Sequence, residues 1–366
     1  MGGIGTFEDW QFPFVTGQTF GVQHGKGLFD DRLELMMEFA KIEREQNCKI
    51  KDVRIKSITI EAKEIIDGIS IVYVIDTNKN THEFVTTHRR IGAIGSFKQR
   101  IDFGSGDEII AMRFGLNSKT GIASLDFWVY TPETQSAKRY GFGNGNAAGL
   151  IFKYYAMPSC PIFAFRGAVS DTFKFLGIFG RKHNDTINKK AFVKKRTSAK
   201  ELKGSLKHGG VGGKGFDYRG VLGLTSMGIC NISTSSSNDV NGGVVLGISG
   251  VCLDIIKGSI AMDKHGRGEY KNTIIGNNEI LVSVFGVSRN NPIEGFPMLG
   301  YIILSSEWNI RVLVFGNSAY PIPYPYRCSF FSIETKQPVL GFCGSTFPEG
   351  PSEKLFSIGV LMAGDS

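Results

Sequence analysis

The chain has 366 residues, a length that exceeds one ordinary domain and suits two. No run of apolar residues reaches the ~18 that a membrane-spanning helix needs, which excludes a protein anchored by such a helix. The formal net charge of +8 is concentrated in residues 181–207, which hold ten Lys or Arg and two acids, so the rest of the chain is close to neutral. The 47 glycines and 28 phenylalanines are typical of a turn-rich β protein with an aromatic core.

The first residues have neither a basic region nor an apolar region, so we predict no secretory signal peptide and a cytoplasmic protein. They also fit the short pattern for N-myristoylation on Gly2, which would add membrane association. A flexible glycine-rich start is the alternative interpretation. In keeping with that compartment, the six well-separated cysteines are predicted to be reduced thiols: Cys48, Cys160, Cys230, Cys252, Cys328 and Cys343.

Strand patterns dominate the first half of the chain. Five segments alternate or run apolar between Gly or Asn turns: residues 53–60, 65–75, 108–114, 122–130 and 162–165. One amphipathic helix is predicted over residues 33–47, with Leu33, Met36, Met37 and Ala40 on its apolar side. Its face of Met36, Met37 and Phe39 would pack on the first domain or dock a partner.

Residues 181–204 are predicted to be a basic linker. One interpretation is a solvated spacer that keeps two domains apart. The others are a nuclear import signal and a contact with an acidic partner, such as an anionic membrane, an acidic protein or nucleic acid. Only Phe192 interleaves with the charges, which disfavours nucleic acid. The candidate contact residues are Lys189, Lys190, Lys194, Lys195 and Arg196.

Six short segments of the first half recur in the same order in the second half. The matches are 27–30 with 214–217, 65–68 with 255–258, 107–115 with 278–286, 142–144 with 315–317, 163–167 with 340–344, and 176–178 with 358–360. This order predicts two tandem domains of the same fold. Their expected bounds are 15–180 and 205–366, after a tail over residues 1–14.

These motifs resemble those of jacalin-like lectin domains. The second half has Gly209-Gly210-Val211-Gly212-Gly213 before Phe216-Asp217, and the first half has Gly106-Asp107-Glu108-Ile109-Ile110 in its middle. The resemblance covers roughly residues 15–180 and 205–362. It implies an all-β protein of two tandem type I β-prisms, each with three antiparallel four-stranded sheets, and with the helix inserted in the first.

The resemblance also implies a sugar site at the apex of each prism, where a Gly-Gly loop meets the last hairpin and its aspartate. A carboxylate accepts hydrogen bonds from two sugar hydroxyls at once. Lys174 and Phe356 stand at the aspartate position and offer no acceptor, so degenerate pockets are predicted; a shifted register could use Asp171 or Glu353 instead. The candidate residues are Gly25, Thr172, Phe173, Lys174, Gly209, Gly210, Lys354, Leu355 and Phe356.

No other motif predicts chemistry. The glycine-rich segments 143–146 and 209–215 do not lead into helices and are predicted to be turns, not phosphate loops. The six histidines show no metal-ligand spacing and are predicted to lie at the surface or in turns, so no metal or cofactor is expected. The proline-rich segment 320–326 is predicted to be an exposed loop that could contact a partner.

We therefore predict a non-enzymatic binding or scaffold component of a protein assembly, with possible glycan or anionic-membrane contacts. The alternative is a functional carbohydrate-binding lectin of altered specificity. A hydrolase with an attached lectin domain is disfavoured, because the repeat leaves no room for a catalytic domain.

Overall fold

The structure is a computed structural model. It describes residues 14–21, 26–90, 96–118, 121–145, 149–182, 202–219, 229–236, 245–254, 258–261, 264–276, 278–289, 296–316, 328–335, 337–347 and 353–363. No helix in this part of the chain is long and apolar enough to cross a membrane.

The first unit, over residues 14–181, contains one helix and twelve described strands. They are β1 (Phe14–Gly21), β2 (Leu28–Asp30), α1 (Asp31–Gln46), β3 (Ile50–Ala62), β4 (Ile66–Thr77), β5 (Thr81–Arg89), β6 (Phe97–Asp102), β7 (Glu108–Asn117), β8 (Gly121–Thr131), β9 (Ser136–Gly143), β10 (Ile151–Tyr155), β11 (Ile162–Val169) and β12 (Phe173–Arg181). All five predicted strand segments are confirmed.

These strands form three antiparallel four-stranded sheets. Sheet I has the order β2-β11-β12-β1, sheet II has the order β10-β7-β8-β9, and sheet III has the order β5-β4-β3-β6. Sheets I and II are joined through the single pair of Ile162 with Ile109. This is the three-sheet prism that the resemblance implies.

The described residues of the second unit, over residues 202–363, contain fourteen strands. They are β13 (Leu202–Gly204), β14 (His208–Gly209), β15 (Lys214–Asp217), β16 (Ile229–Ser236), β17 (Val245–Asp254), β18 (Gly258–Ala261), β19 (His265–Gly266), β20 (Tyr270–Ile274), β21 (Glu279–Arg289), β22 (Met298–Ser305), β23 (Ile310–Gly316), β24 (Cys328–Ser332), β25 (Val339–Phe347) and β26 (Lys354–Ala363).

The second unit repeats the arrangement of the first. β15, β25 and β26 form sheet I′ together with β13 and β14, which both pair with β26. Sheet II′ has the order β24-β21-β22-β23, and sheet III′ has the order β20-β16-β17-β18, with β19 also on β17. The pair of Leu281 with Val339 joins sheets I′ and II′, as Ile109 and Ile162 do in the first unit.

Five of the six predicted sequence matches fall on equivalent strands. Phe29 of β2 pairs with Gly167, and Phe216 of β15 pairs with Gly344 in the same way. The match of 65–68 with 255–258 is wrong. Gly68 lies in β4, whereas Gly258 begins β18, which follows β17, the counterpart of β4.

The predicted linker bounds, 181–204, also need correction. Arg181 is the last residue of β12, and its guanidinium donates to Asp52 Oδ1 at 2.7 Å. At the other end, Leu202 is buried and pairs with Ala363 in sheet I′. The two units therefore extend to Arg181 and from Leu202.

Helix α1 begins and ends with recognisable caps. The Asp30 side chain accepts a hydrogen bond from the Leu33 N–H at 3.1 Å, which satisfies a free donor of the first turn. Asn47 follows the helix with a φ of 47°, a left-handed conformation typical of helix ends. The helix thus starts two residues before the predicted position and ends one residue earlier.

The predicted apolar face of α1, made of Met36, Met37 and Phe39, is right only at Phe39. The buried face consists of Leu35, Phe39 and Ile42, at i, i+4 and i+7, and it packs on the core of the first unit. Met37 is 67% exposed and Leu33 is 45% exposed. Apolar residues occur on both sides of this helix, so their spacing alone did not identify the side that packs.

The two units share an apolar core between sheets II and II′, in addition to one core within each prism. The Trp128 ring lies 5.0 Å from that of Phe285, which also stacks on Tyr154 at 5.4 Å. Tyr130 and Trp308 meet edge to face at 6.1 Å. The interpretation of the linker as a spacer that keeps the domains apart is therefore wrong, because the two prisms pack against each other.

A buried charge cluster lies at the edge of this shared core. Arg113 Nε donates to Asp126 Oδ2 at 2.6 Å, and Arg139 pairs with the same carboxylate. The ring of Phe330, from the second unit, lies 3.6 Å from the guanidinium carbon of Arg113 and 4.4 Å from that of Arg139. Burial disfavours the charged form of both arginines. At Arg113, Asp126 and Tyr154 together outweigh burial and the pKa is raised, whereas at Arg139 burial prevails and the pKa is lowered.

Candidate functional site

Three loops of the first unit converge at the end of its last hairpin. Gly21 ends β1 with a φ of 106° and lies against the Lys174 carbonyl, and Gly121 opens β8 with a φ of 82° against the Phe173 carbonyl. Gly27, with a φ of 70°, lies against the hairpin carbonyl of Val169. A side chain at any of these glycines would clash with the hairpin backbone, so the three loops approach at a distance that only glycine permits.

The candidate residues of this hairpin have different environments. The Phe173 side chain is fully buried in the core, so only its backbone could face a ligand. Thr172 Oγ1 is buried and meets no hydrogen-bond partner among the described residues. Lys174 Nζ lies 3.0 Å from Asp171 Oδ1, and the Asp171 side chain is exposed. Position 174, where the resemblance predicts an acceptor, therefore holds a cation that is already paired.

The hydrogen bond from the Ser170 hydroxyl and the contact with Lys174 lower the pKa of Asp171 to about 2. The carboxylate of Asp171 accepts from both groups, and these contacts favour its charged form. It stays ionised through the physiological range and is protonated only as the pH falls toward 2.

Replacing Lys174 with methionine is expected to raise the pKa of Asp171 toward its ordinary value, because the ammonium that favours the carboxylate is lost. The Ser170 hydrogen bond remains, so the rise is partial. A carboxyl-carbon NMR titration of the wild type and of K174M measures both values. An unchanged pKa in K174M would show that Lys174 does not pair with Asp171 in solution.

The apex of the second unit is apolar. Gly209 has a φ of 110° and lies against the Phe356 carbonyl, as Gly21 lies against Lys174, and the Gly210 N–H donates to that carbonyl at 2.9 Å. The Phe356 ring is 9% exposed and lies 5.4 Å from the ring of Phe347. Leu355 is fully buried, and Lys354, half-buried, begins β26. Position 356, where the resemblance predicts an acceptor, is thus occupied by a buried ring.

Sheet I carries a cleft of about 610 Å³ on its outer side, next to α1. Its lining combines charged, apolar and aromatic side chains, among them Asp30, Glu34, Arg166, Leu28 and Phe175. This cleft was not predicted, because it is formed by β1, β2, α1, β11 and β12 together.

A cluster of Asp31, Glu34 and His88 lies beside the cleft, with their ligand atoms all within 4.8 Å of one another. His88 Nε2 is 2.6 Å from Asp31 Oδ1, and both residues are buried. The prediction that all histidines lie at the surface or in turns is wrong for His88. The i, i+3 spacing of Asp31 and Glu34 could have shown that they share a helix face, but nothing in the sequence indicated His88.

The remaining predicted sites lie outside the described residues. These are the acylation site Gly2, the loop residue Gly25, the proline-rich segment 320–326, and the basic residues Lys189, Lys190, Lys194, Lys195 and Arg196. The four cysteines whose side chains are described, Cys48, Cys160, Cys230 and Cys343, form no disulfide.

Three antiparallel sheets with glycine loops converging on the last hairpin define a β-prism binding domain. Residues 19–189 match the family model of the jacalin-like lectin domain, so the first half of the chain is similar to this family. No curated protein matches the chain.

Solved lectins of this type are similar to about half of the chain. Malaysian banana lectin is 17% identical, with a TM-score of 0.32, and the match covers 46% of this chain and 98% of the lectin. Frutalin from Artocarpus incisa is 16% identical, with a TM-score of 0.33 and coverages of 48% and 98%. Artocarpin in complex with mannopentose is 17% identical, with a TM-score of 0.32 and coverages of 46% and 97%.

Proposed function

We propose that this chain is a non-enzymatic protein of lectin ancestry that binds protein partners as a component of an assembly. The proposal rests on what occupies positions 174 and 356, where the resemblance predicts the carboxylate that would accept hydrogen bonds from a sugar. Lys174 is a cation engaged by Asp171, and Phe356 is a ring packed on Phe347.

Sugar recognition requires convergent donors and acceptors that a hydroxyl-rich ligand can reach. Lys174 supplies donors alone, and the Phe356 ring is almost completely covered. A sugar at the first apex would have to break the pair of Lys174 with Asp171, and a sugar at the second apex would meet no carboxylate at the family's position.

The shape of the molecule supports a role in assembly. The shared core joins the two prisms, so that the chain presents the outer faces of both in one body. Leu28 on β2 and Leu33 and Met37 on α1 are exposed beside the cleft. Neighbouring apolar side chains on a surface are typical of sites that contact other proteins.

A lectin of altered specificity is the second candidate, and Asp171 favours it. This carboxylate is 76% exposed on the last hairpin of the first unit and remains ionised. A sugar that approaches from the side of Asp171 would find the acceptor that position 174 lacks.

A glycan array with the purified full chain, followed by calorimetry with mannose and galactose, tests the proposal. We expect no hit that free sugar competes away, in the wild type or in D171N. Because Asp171 is exposed, D171N is expected to fold normally and serves as the matched variant.

A competable hit that D171N abolishes would overturn the proposed loss of sugar binding and establish the lectin of altered specificity. A competable hit that D171N retains would also overturn it and would place the sugar away from the first hairpin.

A further inference from the structure

Asp31, Glu34 and His88 come together from two separate elements. Asp31 is the first residue of α1, Glu34 lies one turn later on the same side, and His88 is on β5 at the edge of sheet III. Asp31 is fully buried and His88 is 8% exposed, whereas Glu34 is half-buried. One imidazole nitrogen and two carboxylates therefore face one another at the N-terminal end of the helix.

The surroundings hold two of these side chains in place. Asp31 Oδ2 accepts from the Phe165 N–H at 3.3 Å and from the Tyr73 hydroxyl at 3.5 Å, which leaves Oδ1 directed at His88. The His88 ring stacks on Phe29, with centroids 3.8 Å apart and planes at 13°. Outer contacts of this kind orient the ligands of metal sites in proteins.

The second unit shows that packing does not require these carboxylates. His265 stacks on Phe216 at 4.1 Å, as His88 stacks on Phe29. The strand of His265 pairs with β17, and the strand of His88 pairs with β4, the counterpart of β17. In the first unit, the residue after Asp30 is Asp31. In the second unit, the residue after the equivalent Asp217 is Tyr218, which has no carboxylate. A fully buried carboxylate requires polar partners, and at this position the first unit has such a carboxylate beside the stacked histidine, whereas the second unit has a tyrosine.

One member of the cluster, Glu34, lines the cleft, and the other two are buried behind it. Glu34 and its neighbour Asp30 line the cleft on sheet I, which has a volume of about 610 Å³. An ion that entered the cleft would meet Glu34 first and then Asp31 and His88 behind it. A fourth coordination position would remain open toward the cleft for water or another ligand.

We propose that Asp31, Glu34 and His88 bind a divalent transition-metal ion of the Zn²⁺ type. One imidazole and two carboxylates suit Zn²⁺ and its neighbours, whereas Ca²⁺ and Mg²⁺ prefer sites built from oxygen alone. Ligand atoms around a tetrahedral ion at ~2.05 Å are about 3.3 Å apart. The 2.6 Å contact of His88 with Asp31 thus needs to open by less than 1 Å to admit the ion.

Calorimetry with Zn²⁺ and the untagged full chain, in a buffer containing excess Mg²⁺, tests this site. We expect one tight Zn²⁺ per chain in the wild type and at least a tenfold loss of affinity in E34Q and H88N. Two matched controls are expected to bind as the wild type does. E38Q removes a carboxylate one turn further along α1, and H265N removes the stacked histidine of the second unit.

Wild-type affinity in both E34Q and H88N would overturn the proposal, as would the absence of any stoichiometric Zn²⁺ binding. If circular dichroism shows that H88N does not fold, E34Q decides the question, because Glu34 faces the cleft and its replacement buries nothing new. As a second readout, a fixed concentration of Zn²⁺ is expected to raise the melting temperature of the wild type and of E38Q by more than that of E34Q.

Discussion

Replacing Trp128 with alanine is expected to destabilise the chain by about 3–5 kcal/mol, as is typical of removing a fully buried large aromatic side chain. Trp128 is 1% exposed and lies at the centre of the core that the two units share, next to Phe285 and Phe330. The loss is therefore expected to weaken the contact between the prisms as well as the fold of the first.

Urea unfolding followed by circular dichroism measures this effect. Because the units share a core, the wild type is expected to unfold in one transition, and W128A in two, as each prism then unfolds separately. W128F keeps a ring in place and loses no hydrogen bond, since the indole N–H meets no acceptor among the described residues. It is expected to cost less than about 1.5 kcal/mol.

Alanine in place of the 70% exposed Phe97 serves as the control and is expected to change stability by less than about 0.5 kcal/mol. A single unchanged transition in W128A would show that the shared core does not couple the two prisms.

Replacing Asp126 with asparagine is expected to destabilise the chain by about 3–5 kcal/mol, because it leaves buried positive charge without compensation. Arg113 and Asp126 are 3% and 1% exposed, and Arg139 relies on the same carboxylate. The substitution preserves the size of the side chain, so the effect isolates the charge. Urea unfolding of D126N measures it.

Two further variants sharpen this test. D171N removes an exposed carboxylate that also pairs with a cation, and it is expected to leave the free energy of unfolding almost unchanged, because solvent screens this pair. The triple variant R113M/D126L/R139M replaces the whole cluster with apolar side chains and is expected to recover most of the stability lost in D126N. If the free energy of unfolding of D126N were within about 1 kcal/mol of that of the wild type, water would reach the cluster and solvate its charges.

The strands of each prism could be predicted because their side chains alternate or run apolar over the required length. Turn glycines such as Gly121 and Gly209 could be predicted as well, since few other residues adopt their positive φ angles. The match of 65–68 with 255–258 failed because two short apolar segments ending in glycine are alike wherever they occur in a β protein.

The contact between the prisms corresponds to a pattern in the sequence. β8 is buried along almost its whole length, and β22 is buried at every position. A strand that is apolar on both faces must be covered on both faces. The sequence could therefore indicate that sheets II and II′ are covered, but not that each covers the other.

The cluster of Asp31 and His88 could not be predicted at all. The two residues are 57 positions apart, and their contact depends on how α1 follows β2 and on the place of β5 beside β4. Scattered histidines have no periodic pattern, so an isolated His88 carries no information about its neighbours.

By itself, the sequence determined that this protein is built from two repeated β-prisms, and it predicts that Lys174 and Phe356 stand where the resemblance places the acceptor of a sugar site. Both are local properties, carried by side-chain periodicity and by short motifs around a hairpin. The tertiary structure alone decided that the prisms share a core, that Lys174 pairs with Asp171, and that two carboxylates and a histidine meet beside a cleft. These contacts join strands distant in sequence, and their geometry follows from sheet pairing and packing together.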